Sequence, residues 1–111
     1  MKTHLNVEET ATLIEKGADK NRASISINEW SYTRSAYTTQ RVFSLQDMID
    51  MLPVVIYDYD GVRYSVNFRY MPRLRKWELS YTDDVGAILY SDCSTELIDA
   101  IFKFNIWYNK Q

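Results

Sequence analysis

Residues 62–82 read VRYSVNFRYMPRLRKWELSYT, and their pattern decides the fold. Val62, Tyr64, Val66, Phe68 and Tyr70 alternate with Arg63, Ser65, Asn67 and Arg69. A period of two puts the apolar residues on one face of a strand and the polar ones on the other. This is the mark of an antiparallel sheet with one dry and one wet face. Pro72 breaks the run inside a basic turn. Trp77, Leu79 and Tyr81 then resume the dry face, with Glu78, Ser80 and Thr82 opposite. The stretch predicts two strands of a meander, with Tyr64, Phe68, Tyr70 and Trp77 in the core.

The meander extends on both sides. Residues 54–59 read as a strand that enters Asp60-Gly61, a pair suited to a type I′ hairpin turn. After residue 82, Asp83-Asp84 turns the chain again, and residues 86–90 are expected as the last strand. Upstream, Ser44 caps a short helix with Asp47 at its third position. Phe43 is placed to staple onto Met48. Leu45, Met48, Ile49 and Leu52 face inward, and Pro53 ends the helix.

The first helix is expected over about residues 6–16. Asn6 and Glu9 form its capping box, and Val7, Ala11, Leu13 and Ile14 its inward stripe. Gly17 stands at its left-handed C-terminal cap. Residues 23–30 alternate about Ile25 and Ile27 and predict a strand. The polar segment 31–41 is left open between a second short strand and a long loop. The last helix is expected from near Ser94 to about Tyr108. Its main stripe is Leu97, Ile101, Phe104 and Tyr108, with Ile98 and Asn105 beside it. Glu96, Asp99, Lys103 and Lys110 lie opposite. Phe102 and Ile106 fall outside the stripe on one flank and Trp107 on the other. This apolar arc is wider than contact with one sheet requires.

The chain has 111 residues and a mass of 13.1 kDa, enough for a single small globular domain over residues 1–111. The expected class is α+β: an antiparallel meander sheet of three to five strands with about three helices packed on one face. One cysteine excludes a disulfide framework and a cysteine-based zinc site, and one histidine leaves few other ligands, so neither metal nor cofactor is expected. No apolar run is long enough to cross a membrane. The opening MKTHLNVEETATLI carries two glutamates and no long apolar stretch, so no secretory signal is expected and the protein is read as cytoplasmic.

Catalytic motifs are sparse. Residues 13–21, LIEKGADKN, look like the end of an ankyrin repeat, but nothing recurs about 33 residues later and a helix closing on Gly17 explains them. The Asp58–Gly61 run fails as a calcium loop, because Ile56 and Asn67 occupy ligand positions. His4 and Cys93 are a nucleophile and base in type only, with no third group to orient them. There is no glycine-rich phosphate loop and no zincin or serine-hydrolase signature. A non-enzymatic protein is expected.

Three stretches carry a resemblance. They are ETATLIEKGADKNRAS at 9–24, FSLQDMIDMLP at 43–53 and STELIDAIFKFNIW at 94–107, the last following a Tyr/Trp-rich meander. In order and character the chain resembles small α+β proteins encoded by bacterial phages and mobile elements. The resemblance implies a source and a fold, and brings no catalytic residue with it.

Two surfaces remain as candidates for binding. Aromatic residues make up 14% of the chain, more than one sheet contact needs, and Tyr and Trp favour interaction hot spots. Phe102, Ile106 and Trp107, with Trp30 and Tyr32, are therefore the expected partner interface, most simply with a second copy. The alternative is nucleic acid. Arg63, Arg69, Arg73, Arg75 and Lys76 fall in a segment without an acid, although the formal net charge is −2. Against it, Glu78 is placed to pair with Arg69 or Arg63 across the wet face.

Overall fold

The computed structural model describes residues 1–109; Lys110 lies outside them. In chain order the elements are α1 (Val7–Glu15), β1 (Ile25–Ser31), β2 (Ala36–Val42), α2 (Leu45–Asp50), β3 (Val55–Tyr57), β4 (Arg63–Met71), β5 (Lys76–Thr82), β6 (Ile88–Ser94) and α3 (Leu97–Tyr108). A 3-10 turn at Lys20–Arg22 precedes β1. The strands form two antiparallel sheets: the ribbon β1-β2, and the meander β3-β4-β5-β6. The fold is α+β.

Local chemistry sets the helix ends. Asn6 Oδ1 accepts from the Glu9 amide at 2.7 Å, and Glu9 Oε1 accepts from the Asn6 amide at 3.0 Å. At the other end Gly17 adopts φ +107, its amide donates to the Ile14 carbonyl, and Ala18 donates to Leu13. Those two crossed bonds are a Schellman closure, which a residue without Cβ favours. The face of α1 is rotated from the expected one: Thr10 is buried and Ala11 exposed. The reason is that α1 packs on α3 and β2, and the Thr10 hydroxyl accepts from the Phe43 amide at 3.4 Å.

The meander follows the alternation in residues 62–82. Phe68 faces Leu79, Arg69 faces Glu78 and Tyr70 faces Trp77. On the wet face Arg69 pairs with Glu78 at 3.3 Å, and Asn67 donates to the Thr82 hydroxyl at 2.8 Å. The turn at Asp58–Gly61 is not type I′, because only Gly61, at φ +79, is left-handed. Asp58 shapes it instead, accepting the Asp60 and Val62 amides on its carboxylate. Asp83 does the same for Val85 and Ala87, with Gly86 at φ +88. These acidic turns share one end of the sheet, and the basic turn of residues 72–75 lies at the other.

The last strand differs from the expected 86–90. It runs to Ser94, which pairs with Trp77, so α3 begins only at Leu97. Extended backbone at Ser94 replaces the helix start expected near there. α3 lies against β5 and β6, while α1 and α2 pack on α3. Its centre is the core: Ile98, Ala100, Ile101 and Phe104 are buried together with Leu79 and Tyr81. Tyr81 stacks on Phe104 at 4.7 Å, and its hydroxyl donates to the Pro53 carbonyl at 2.7 Å. Burial holds the Tyr81 phenol well above its ordinary pKa, and burial with the Asp92 charge pushes Tyr90 up to about 12.

Both hairpins outrun the helices. α3 is about 18 Å long, whereas the nine residues of β4 span about 30 Å. The principal extents are 57 × 35 × 18 Å, and the radius of gyration is 16.1 Å. A compact domain of this length has a radius of about 13 Å. The exposed surface of 7528 Å² likewise exceeds the roughly 6,400 Å² of a compact chain of this mass.

Candidate functional site

The expected binding residues fall on three surfaces. The first is the flank of α3, where Phe102, Ile106 and Trp107 are half-buried. With Tyr90, Asp92 and Lys103 they line an open cleft of about 430 Å³. The rings of Trp107 and Tyr90 lie 4.8 Å apart and those of Trp107 and Phe104 5.9 Å apart, so this indole is also part of the intramolecular aromatic stack. Lys103 Nζ donates to the Cys93 carbonyl at 3.1 Å. β6 is the last strand of its sheet, and a lysine on such a strand's backbone obstructs pairing with a further strand.

The second surface is the tip of the β1-β2 ribbon. It settles the open reading of residues 31–41: most of the segment is strand, paired Trp30↔Tyr37 and Ser31↔Ala36. Trp30 and Tyr37 sit 5.1 Å apart and nearly perpendicular, and Tyr32 approaches Trp30 at 6.4 Å. Trp30 is 46% exposed and Tyr32 90%. The ribbon's main neighbour beyond itself is α1. Trp30 and Tyr32 thus lie on a different element from Phe102, Ile106 and Trp107.

The third surface is the β4-β5 tip. Here the sequence expectation is corrected: Phe68 is 40% and Tyr70 45% exposed, because α3 packs over β5 and β6, covering Leu79 and Tyr81, and leaves their partners on β4 to the side. Trp77 is half-buried and pairs with Tyr70 at 5.2 Å. Arg73, Arg75 and Lys76 are exposed at the turn, with Leu74 between them. Arg69 stands just behind, tied to Glu78. Arg63 begins the same strand, eight residues from Met71, so about 26 Å separates it from the tip. The five cations are one segment in sequence and two places in space. The exposed rings were the part that sequence reasoning missed.

Two polar clusters hold elements together. Lys2 Nζ bridges Glu9 at 2.9 Å and Asp99 at 2.7 Å, joining α1 to α3. Asp47 accepts from the Ser24 hydroxyl at 2.6 Å, the Ser24 amide at 3.0 Å and the Ser44 amide at 2.8 Å, tying α2 to the chain before β1. Desolvation works against both carboxylates. Hydrogen bonds outweigh it, from the Asn6 amide and Lys2 for Glu9 and from Ser24 and Ser44 for Asp47, and hold both below the ordinary range. A carboxyl group whose pKa falls on folding stabilises the fold fully above its unfolded pKa and loses that contribution as pH drops through the folded value. Stability is therefore expected to be level near neutrality and to decline below about pH 4. Asp47→Ala should cost about 1–2 kcal/mol at pH 7 and flatten part of the acid decline. Urea titrations at pH 7 and pH 3.5 check both, and an undiminished decline in the variant removes Asp47 as a cause.

His4 Nδ1 lies 3.0 Å from the Leu5 carbonyl, and Cys93 sits on β6 opposite Glu78, on separate elements. Among the described residues, no group of three or more His, Cys, Asp or Glu is gathered as a metal site, and no helix is long and apolar enough to cross a membrane. Compared with protein-family models, curated proteins and solved structures, the chain matches none.

Proposed function

We propose that this protein is a non-enzymatic interaction protein that associates with a second copy of itself. It belongs by this reading to the accessory proteins of phages and mobile elements and works in the cytoplasm. The observation that carries the association is the β1-β2 ribbon, whose tip leaves Trp30, Tyr32 and Tyr37 46, 90 and 72% exposed. A two-stranded ribbon is marginal in water without something to pack on, and exposed clustered rings are the residues interfaces favour. The open cleft lined by Phe102, Ile106 and Tyr90 is an apolar seat of matching character. A ribbon of each copy in the cleft of the other is a closed two-fold arrangement.

The wide apolar arc of α3 is a weaker argument for association than the sequence suggests, since α1 and α2 pack on that helix. The test is sedimentation at tens of micromolar, of the order of ordinary weak affinities. Wild type is expected to be a dimer. Ile106→Glu and, separately, Trp30→Ala with Tyr32→Ala are expected to be folded monomers. Trp107 is left intact because its stacking on Tyr90 supports the fold. A monomeric wild type overturns the proposal, and a dimer that survives both variants removes these surfaces as its cause.

A further inference from the structure

The two hairpins are built alike. Each has a four-residue loop flanked by a cross-strand aromatic pair, Trp30↔Tyr37 in one and Tyr70↔Trp77 in the other. In each the last loop residue is left-handed without being glycine: Ser35 at φ +49 and Arg75 at φ +51. What separates them is charge. The first tip carries Arg34 and, one residue beyond Trp30 from it, Glu29. The second carries Arg73, Arg75 and Lys76, and none of the three has an ion pair among the described residues. The nearest acid in sequence, Glu78, is engaged with Arg69.

We propose that the β4-β5 tip is a binding site for single-stranded nucleic acid, in which Arg73, Arg75 and Lys76 contact phosphates and Phe68 and Tyr70 stack on bases. Both halves of that chemistry need solvent access, and both have it: the three cations are exposed at the turn, and the two rings are exposed on the strand that leads into it. Paired cations and accessible rings are how proteins hold a single strand without reading its sequence. A duplex offers the phosphates but keeps its base faces stacked. The net charge of −2 is no obstacle, because Glu78, the acid nearest in sequence, is engaged by Arg69 and the acidic turns lie apart. Asp58, Asp60, Asp83 and Asp84 sit in the turns at the opposite end of the sheet, so a polyanion is repelled there and meets the basic tip first.

The test is fluorescence anisotropy with labelled oligo-dT and oligo-U of about a dozen nucleotides. Both should bind, since neither phosphate contact nor stacking reads the 2′-hydroxyl. Three phosphate contacts on a single strand should lower the affinity about twentyfold between about 50 and 200 mM salt. Charge reversal by Arg73→Glu, Arg75→Glu and Lys76→Glu together should abolish binding and the salt dependence. Phe68→Ala with Tyr70→Ala should weaken binding about tenfold or more, and circular dichroism should show the fold intact. Arg63→Ala, far from the tip, should leave affinity within about twofold at 100 mM salt, where the screening length is about 10 Å. A duplex of equal length should bind at least about tenfold more weakly than the single strand. The site is overturned if wild type fails to bind at the lower salt or if binding survives charge reversal. The single-strand assignment is overturned if the double aromatic variant binds like wild type or if duplex binds as well as single strand. None of these outcomes depends on the dimer, whose variants lie on other elements.

Discussion

Phe104→Ala will destabilise the protein by about 3–5 kcal/mol, the largest single effect expected in the chain. The ring is fully buried and meets four others: Tyr81 at 4.7 Å, Tyr90 at 5.2 Å, Tyr108 at 5.3 Å and Trp107 at 5.9 Å. It joins α3 to β5 and β6 at once, so truncation opens a cavity between this helix and the sheet. Rigid strands on one side and two further helices on the other leave little freedom to collapse into the space. A domain of this size has about 5–15 kcal/mol in all, so the variant is expected to unfold at markedly lower urea. Phe104→Leu keeps most of the volume and should lose about half as much or less. Urea denaturation followed by tryptophan emission measures both, since Trp107 lies 5.9 Å from Phe104 and reports on this region. A loss below about 1 kcal/mol for Phe104→Ala, within reach of ordinary partly exposed changes, would mean that α3 does not pack on the sheet through this residue.

What could be read from the chain were the features decided locally. Capping boxes at Asn6/Glu9 and Ser44/Asp47 are four-residue signals, and both helices start where those signals stand. The alternation in residues 62–82 fixes which side chains share a face, and the Arg69–Glu78 pair follows from that register. What could not be read depended on distant cover. Periodicity assigns Phe68 and Leu79 to the same face and they pair directly, yet one is 40% exposed and the other fully buried, because α3 packs over β5 and β6 and leaves β4 to the side. Residues 36–42 hide their strand for the opposite reason. Thr38, Thr39 and Gln40 belong to a ribbon with little dry face, so no apolar alternation exists to be seen. The same holds for Ser91, Asp92 and Ser94 at the far end of β6, where backbone pairing with β5 carries the strand through polar residues.

The candidate surfaces divide along the same line. The cations of the β4-β5 tip are visible as a run in sequence. Splitting them into a tip group and a distant Arg63 takes the extended length of β4. The aromatic character of residues 30–37 is equally visible, but its exposure is a property of the ribbon's projection past α1. The wide apolar arc of α3 is plain in sequence and was open to two explanations, a partner chain or more of the same chain. α1 and α2 supply much of the second.

On α2 the decisive residue is Met48, and Met48→Ala should cost about 2–5 kcal/mol. The sequence places Leu45, Met48, Ile49 and Leu52 together on an inward face. In the structure only Met48 of these is fully buried, with Ile49 half-buried beside it. Phe43, just before the Ser44 cap, is also fully buried in the same core cluster, and the pair holds the positions of a hydrophobic staple across the first turn. Truncating Met48 empties the core at a helix of six residues that has no length to stabilise itself. Ile49→Ala removes a side chain that water already reaches, so about 1–2 kcal/mol is expected, below the range for full burial. Met48→Leu conserves volume and should stay under about 1.5 kcal/mol. The order of the two alanine variants in urea denaturation is the informative result, because consecutive helical residues differ by about 100° in direction. If Ile49→Ala cost more than Met48→Ala, α2 would be turned by that angle, and the Asp47 hydrogen bonds to Ser24 that depend on its orientation would have to be redrawn with it.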